Sequence, residues 1–446
     1  MASPAKVNRT YAPLTKGIEF EFAIPWYFNE SRSGKVVQSG MEDVDFRIID
    51  GCVCVTKQRA NMMVPLAHIA WSDGMEVARR AVYEVLTDNG VDCNEPGPYK
   101  YKGLPGDENH RNAANTSAPA YLRWNVTSDG SITGDMPEEA WEEDFEVHED
   151  DREWWLTDVE LITPAVLAGS KFDDDEIRRV IGIVNDNFHC LYPSSCGLHV
   201  HVAQGPELYP IDDLRRIAAV IFGVDVWFRR LHPQHRLFST YARSTRRFSR
   251  LSQGATGAWA NKTIFGTAPA LLHQIDESGD HAVIDPVQAW SELSVVKDNR
   301  AIDILFSTCS NASYNLSNVA NTSKPTIEFR QAAGTLNAEW AVHWSNLVVG
   351  LVDWARRRSS DEITQFLVNA QWKENAPLGS TQYSVDHLIR EVLGLPEIAD
   401  YIANTTPDRR TYPRLDEKQS EWRRLMKRKG CRCIGKQMWP CDDWPP

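Results

Sequence analysis

The 446-residue sequence contains no long apolar run and has little apolar character near its beginning. No stretch reaches the roughly 18 to 20 apolar residues that a membrane-spanning helix needs. Met1 to Pro13 also lacks the apolar centre of a signal peptide. We therefore expect a cytosolic protein without a membrane partner.

Two common nucleotide-binding motifs are also missing. The sequence has neither a Walker A motif nor a complete nucleotide-binding glycine fingerprint, and it shows no internal repeat. A bound nucleotide would therefore be held mainly through metal ions and arginines rather than through a glycine-rich loop.

Cysteines are too scattered to build a disulfide framework. The nine cysteines are odd in number, as expected of free thiols in a reducing compartment. One cluster, formed by Cys431, Cys433 and Cys441, resembles a small zinc knuckle but lacks a fourth cysteine or histidine ligand. The cysteines therefore give no strong functional signal.

A net charge of −13 disfavours non-specific binding to nucleic acid, so we expect no nucleic-acid partner. The average conceals an acidic segment, Pro137 to Glu153, and an arginine-rich segment, Trp227 to Arg250. The arginine-rich segment suggests a local site for phosphate or carboxylate. A solvated helix face followed by a loop is the alternative explanation of the same composition.

Strand and helix patterns alternate irregularly along the chain and are separated by long insertions, which favours an α+β fold over a regular βαβ arrangement. Asp50-Gly51 predicts a hairpin turn, and Pro25 is expected to end the first strand. The predicted strands are "GIEFEF", "FRIIDGCVCV", "YLRWNVTSDGSI", "EWWLTDVELITP", "CGLHVHV", "ASYNLSNV" and "PTIEFRQAAG"; the longest predicted helices are "DGMEVARRAVYEVLTDNG", "DDDEIRRVIGIVNDNF", "PIDDLRRIAAVIFGVDVWFRRL" and "NAEWAVHWSNLVVGLVDWARRR".

Four of the predicted strands carry polar side chains two residues apart, which places each pair on one face of its strand. Each pair alone fits the polar face of a half-exposed sheet. Their recurrence on strands whose other face is apolar favours a shared site instead. The pairs are Glu19 and Glu21, Asp158 and Glu160, His199 and His201, and Glu328 and Arg330.

Carboxylates from separate strands are the ligands that Mg²⁺ ions need beside phosphates, and an arginine suits phosphate oxygens. A zinc hydrolase is a second interpretation, with His199, His201 and a third ligand from among His189, His232 and His343. That interpretation leaves the glutamates and Arg330 unexplained. A non-catalytic binding module with the same fold is the third alternative.

The ordered set "GIEFEF", "VELITP", "CGLHVHV", "YNLSN" and "IEFRQAAGTLN" resembles the amidoligase family, which is related to glutamine synthetase and glutamate–cysteine ligase. The resemblance covers residues 15–358. It implies a glutamine synthetase-like catalytic fold, with a curved, mainly antiparallel sheet, a concave active-site face and helices on the other side. We therefore expect an arm at 1–14, a catalytic domain at 15–358 with a surface insertion at about 92–150, and a helical or irregular extension at 359–446.

The resemblance also implies an ATP-dependent ligase that joins a carboxylate to an amine through an acyl phosphate, with two or more Mg²⁺ ions. Oligomeric relatives make a homo-oligomer a further expectation. Asp158 is left open as a ligand, and "QAAGTLN" departs from the family pattern by placing alanines where polar residues are common. The roles carried over are metal binding by Glu19, Glu21, Glu160, His199 and Glu328, catalysis by Glu328 and Arg330, and nucleotide or substrate binding by His201, Arg236, Arg243, Arg246, Asn315 and Arg330.

Overall fold

A computed structural model describes most of the chain between residues 11 and 405. The described residues are 11–28, 46–49, 51–55, 66–94, 122–132, 154–233, 236, 239, 241–267, 284–307, 312–374 and 385–405. The acidic segment Pro137 to Glu153, the cysteine cluster at 431–441 and most of the predicted N-terminal arm lie outside these residues.

The described strands form one open, mostly antiparallel sheet, as the sequence predicts. Its order is β4-β5-β6-β1-β8-β10-β9, and β3 and β7 also pair with β1. Only the β1–β3 and β4–β5 pairs of the described strands are parallel. The strands are β1 (Thr15–Phe28), β2 (Phe46–Ile49), β3 (Cys52–Val55), β4 (Cys93–Asn94), β5 (Trp124–Thr127), β6 (Trp154–Ile162), β7 (Val166–Leu167), β8 (Gly197–Ala203), β9 (Tyr314–Asn315) and β10 (Thr326–Ala333).

The long helices pack against the apolar face of this sheet, and four of them (α1, α2, α3 and α8) share one hydrophobic core with β1, β6, β8 and β10. No helix in the described part of the chain is both long enough and apolar enough to cross a membrane. The helices are α1 (Leu66–Asp88), α2 (Lys171–Asn187), α3 (Ile211–Arg229), α4 (Thr245–Phe248), α5 (Gly257–Thr263), α6 (Pro286–Ser294), α7 (Asn299–Phe306), α8 (Ala338–Arg357), α9 (Ser360–Glu374), α10 (Val385–His387), a π-helical turn (Leu388–Val392) and α11 (Pro396–Thr405).

Strand β1 shows how the sequence separates the two faces of the sheet. Ile18, Phe20 and Phe22 alternate with Glu19 and Glu21, and all three apolar side chains lie in the core shared with the helices. The glutamates therefore point to the opposite face, because successive side chains of a strand alternate. The helices consequently lie behind the face that carries the polar pairs.

The prediction that Pro25 ends this strand is wrong, since β1 continues to Phe28. On one side of β1 the pairing with β8 stops at Phe20, and the pairing with β3 begins at Trp26. Pro25 lies between these two partners. A missing N–H therefore costs no ladder hydrogen bond on that side of the strand.

The structure tests several other predicted elements directly. The hairpin β2–β3 forms with Gly51 at a φ of +79°, and the predicted long helices are all present. Trp340 and Trp344 of α8 are buried, as expected of core residues. The described parts of 92–150 are not wholly peripheral, because β4 and β5 extend the sheet beside β6. The domain limits themselves stay predictions.

Candidate functional site

Cross-strand register brings the predicted polar pairs together on one face of the sheet. Glu19 of β1 pairs with His199 of β8, and Glu328 of β10 pairs with His201 of the same strand. On the other side of β1, Glu21 pairs with Glu160 of β6. Four adjacent strands thus supply one continuous polar site.

One group of potential metal ligands consists of Glu19, His201 and Glu328, each with a ligand atom within 4.8 Å of the others. His201 Nε2 lies 2.8 Å from Glu19 Oε1 and 4.0 Å from Glu328 Oε1. The other ring nitrogen, Nδ1, is 3.1 Å from Thr326 Oγ1, which helps to orient the imidazole. All three ligand residues are buried, and we call this group the first cluster.

A second group combines Glu21, Asp129 and Glu160, again within 4.8 Å of one another, and we call it the second cluster. Glu21 Oε2 accepts the Gly197 N–H at 2.5 Å, whereas the buried Oε1 has no hydrogen-bond partner in the described part of the chain. This group contains only carboxylates. A buried carboxylate oxygen without a hydrogen-bond donor, beside two further acids, fits a bound cation.

Asp129 is a site residue that the sequence interpretation missed. It follows β5, whose last residue, Thr127, pairs with Glu160 of β6, so the chain turns towards the site just beyond the strand. Its carboxylate accepts the Ser131 N–H at 2.8 Å, which fixes the turn. The Asp129-Gly130 dipeptide after an alternating strand was the available signal, because it marks a turn with an acidic side chain at the strand end.

His199 lies between the two clusters rather than in either. Its Nδ1 is 3.4 Å from Glu19 Oε2, 3.3 Å from Glu21 Oε1 and 3.6 Å from Glu328 Oε1. A Cβ added at Gly197 would come within 2.3 Å of His199 Nε2. Glycine is therefore required at residue 197, where the backbone passes against the imidazole and reaches Glu21.

Arg330 and Asn315 both contact Glu328. The Arg330 guanidinium forms an ion pair with Glu328 Oε1, and Asn315 Nδ2 donates to Glu328 Oε2 at 2.7 Å. Between Phe329 and Ala332 the register shifts, so that Arg330 and Gln331 together oppose His199. Such a bulge re-aims a side chain. Here it leaves Arg330 next to the first cluster.

The three arginines predicted from the Arg-rich segment have different partners. Arg236 is buried and donates to the carbonyl oxygens of Ser195, Cys196 and Arg330, at 3.3, 3.2 and 2.7 Å. It therefore links the β10 bulge, through the Arg330 carbonyl, to Ser195 and Cys196 just before β8. The Arg243 guanidinium lies over Phe248, and that of Arg246 lies over Phe222 of α3, next to Asp225.

The electrostatics divide the site into two parts. Burial tends to raise the pKa of Glu19 and Glu328, but neighbouring cations and imidazoles outweigh it and hold both pKa values below the ordinary range. Burial raises the pKa of Glu21, which Asp129 also raises. Burial likewise raises the pKa of Glu160 well above its ordinary value, with Glu19 and Glu21 adding to the effect. A cation would relieve this repulsion most strongly in the second cluster.

The other predicted ligands lie elsewhere. His232 packs edge-on against Trp344, with ring centroids 4.6 Å apart, and His343 stacks on Tyr401 at 4.0 Å. His189 donates its backbone N–H to Gly51. Among the described residues none of these histidines joins His199 and His201 in a ligand group. The expected third histidine of a zinc hydrolase is therefore not found there.

Asp158, the open candidate of β6, has a different partner. Its Oδ1 lies 3.2 Å from Nη1 of Arg79 on α1, and both side chains are buried. The Arg79 guanidinium also donates to the Asp158 carbonyl oxygen. The pairing accounts for a charged residue on this strand without a bound metal.

Comparison with known proteins identifies one related family. A family model described as a putative amidoligase enzyme matches residues 13–252, more than half of the chain. No curated protein matches the chain. The matched range contains β1, β6 and β8 with the residues of the second cluster, whereas Glu328 and Arg330 lie beyond it and are placed beside β8 by the fold.

Proposed function

The chain belongs to the putative amidoligase enzymes, a family of ligases that form amide bonds, and from that membership we propose that it is an ATP-dependent carboxylate–amine ligase. Acyl-phosphate chemistry, Mg²⁺ dependence and a glutamine synthetase-like catalytic fold are parts of this proposal. The proposed substrates are a small-molecule or peptide carboxylate and an amine.

The observation that carries the proposal is the convergence of five carboxylates, an imidazole pair and Arg330 on one face of the sheet. Mg²⁺ and Mn²⁺ prefer oxygen ligands, and Mn²⁺ also accepts imidazole. The donor atoms of both clusters fit such ions, and Glu21 Oε1 is a buried acceptor without a hydrogen-bond donor among the described residues, which a cation would satisfy. The first cluster would hold one ion and the second cluster another.

The proposed reaction has two steps. A carboxylate oxygen of the substrate attacks the γ-phosphorus of ATP, the bond to the β,γ-bridging oxygen breaks, and an acyl phosphate and ADP result. The amine then attacks the acyl carbon, loses a proton and expels inorganic phosphate, which leaves the amide. Bound divalent cations would offset the negative charge of the phosphates in the first step.

The residues of the chain have separate tasks in this scheme. Arg330, held against Glu328 and supported through its carbonyl by Arg236, would hold the oxygens of the transferred phosphoryl group. Asn315 keeps the second oxygen of Glu328 in place. Positioning and charge stabilisation of this kind supply most of the catalysis expected at a phosphoryl-transfer site.

The proposal is tested by measuring ADP release with Mg²⁺ across a panel of carboxylates and amines; release of AMP instead would contradict the acyl-phosphate step. We expect turnover that needs both an acid and an amine, and a fall of about 10³-fold or more when Arg330 is replaced by alanine. Glu328→Ala should be similarly impaired, whereas Asp186→Asn, a change on an exposed face of α2, serves as the matched control. Amine-independent ATP hydrolysis alone, or equal activity in all variants, would contradict the assignment.

A further inference from the structure

Lys324 places a positive charge beside the first cluster. It lies in the connection between β9 and β10, which has no role in the proposed reaction. Its Nζ lies 3.4 Å from Glu19 Oε1. The same oxygen is 2.8 Å from His201 Nε2. Glu19 therefore faces the lysine ammonium and the imidazole at once.

A divalent cation held by Glu19, His201 and Glu328 would lie close to this ammonium group. Two positive charges at such a separation repel each other strongly, because a buried site screens them far less than water does. A cation in the first cluster therefore disfavours the contact of Lys324 with Glu19, unless an anion lies between the two positive charges.

The lysine has the freedom to exchange partners. Its side chain is 26% exposed, whereas that of Glu19 is 11% exposed, so the ammonium lies at the rim of the site and the carboxylate lies deeper. A lysine stem is long and flexible. Burial acts to raise the pKa of both Glu19 and Glu160, and in each case the charge of Lys324 acts in the opposite direction; at Glu19 the opposing charges outweigh burial. The Lys324 ammonium thus acts electrostatically on one carboxylate of each cluster.

A phosphate group held at the clusters would be flanked by cations on two sides. Arg330 approaches Glu328 on the side of β9 and β10, and Lys324 approaches Glu19 on β1. Each contacts one of the two carboxylates of the first cluster. An anion that binds between them would give Lys324 a replacement for Glu19.

We propose that Lys324 pairs with Glu19 when the first cluster holds no divalent cation, and that it transfers to a phosphate of the nucleotide when the cation binds. This inference rests on the proposed function for the identity of the anion, but its metal-dependent half does not require turnover. Lys324 would thereby weaken metal binding in the free protein and strengthen nucleotide binding in the metal-loaded protein.

The test measures two affinities of Lys324→Met that should move in opposite directions. Titration with Mn²⁺ without nucleotide should show about tenfold tighter binding, because the competing charge is gone. Titration of the Mn²⁺-saturated variant with a non-hydrolysable ATP analogue should show about tenfold weaker binding. Lys324→Arg keeps the charge and should stay close to the unmodified protein in both titrations, and Lys297→Met, at an exposed lysine, should change neither.

Unchanged or weaker Mn²⁺ binding by Lys324→Met overturns the proposal, and so does an unchanged affinity for the analogue. Absence of Mn²⁺ binding by the unmodified protein also overturns it. The ligase proposal is judged separately, by amine-dependent ADP release. If the protein shows no such release but Lys324→Met shifts the Mn²⁺ and analogue affinities in opposite directions, the proposed exchange of partners stands and the proposed ligase reaction does not.

Discussion

Glu19 and His199 are direct cross-strand partners, yet the imidazole nearest to Glu19 is that of His201, with Nε2 2.8 Å from Oε1. The register partner of His201 on β1 is Gly17. The other register partner of His201, on β10, is Glu328. His201 is therefore the imidazole that completes the first cluster.

The first prediction separates the two histidines. His201→Ala should remove one Mn²⁺ from the stoichiometry, because it deletes a ligand atom of the first cluster. His199→Ala should keep the stoichiometry and weaken affinity by about 10- to 100-fold, as expected of a residue that orients ligands without binding the ion. Calorimetric titration or Mn²⁺ electron paramagnetic resonance measures both. The opposite order, with His199 indispensable for one ion, would support the metal role of His199 that the family resemblance implies.

The polar pairs could be assigned to common faces from the sequence because the strand period of two fixes which side chains share a face. Their meeting could not be derived in the same way. It depends on β8 lying between β1 and β10 although more than a hundred residues separate β8 from β10. No pattern in the sequence specifies that order.

Two residues show what the sequence patterns did not reveal, and the reasons differ. Asp129 lies in a turn inside a segment without clear periodicity, so no pattern connected it to Glu160. Arg236 was expected at a phosphate because arginines cluster around it, but its donors meet backbone carbonyls. Composition indicates that charges are near each other along the chain, and packing decides which of them reach the site.

The second prediction concerns Asp129. Asp129→Ala should abolish or strongly weaken cation binding by the second cluster. The first cluster should stay occupied, because Asp129 is not one of its ligands. The expected result is one Mn²⁺ fewer per chain in a binding titration. The matched control is Asp88→Ala, at an exposed aspartate at the end of α1. If Asp129→Ala still binds two ions with unchanged affinity, Glu21 and Glu160 are sufficient to bind the second cation without Asp129.

The third prediction assigns Arg236 a positioning role. Arg236→Met removes the donors to three carbonyl oxygens in a buried environment. The Cys196 oxygen still accepts the Gly334 N–H, so two carbonyl oxygens lose the Arg236 donor. At about 1–3 kcal/mol for each such buried acceptor, we expect a loss of roughly 2–6 kcal/mol in the free energy of unfolding. Chemical denaturation measures this loss. Arg243→Met, which removes a guanidinium from the face of Phe248, should cost less than about 1 kcal/mol.

A nucleotide-binding role for Arg236 gives the reverse pattern. Arg236→Met would then unfold at nearly the same denaturant concentration as the unmodified protein and would bind an ATP analogue much more weakly. Arg236→Lys distinguishes the two roles further. A lysine supplies positive charge for a phosphate but cannot reproduce the planar fork that reaches three carbonyls, so the positioning role predicts little rescue of stability.

The last prediction concerns the buried ion pair that holds the start of β1 to the helices behind the sheet. Lys16 Nζ lies 2.6 Å from Asp174 Oδ1 of α2 and donates to Ser345 Oγ and Asn346 Oδ1 of α8, at 3.0 and 2.7 Å. Lys16→Met leaves the Asp174 carboxylate without its cation and should cost about 3–5 kcal/mol in the free energy of unfolding. Adding Asp174→Leu should recover much of that loss, because two apolar side chains can replace a buried ion pair. Denaturation of the two single variants and the double variant gives the coupling energy. If the losses of the two single variants add in the double variant, Lys16 and Asp174 are not energetically coupled. The position of Glu19 on β1 would then depend on strand pairing rather than on the ion pair between Lys16 and Asp174.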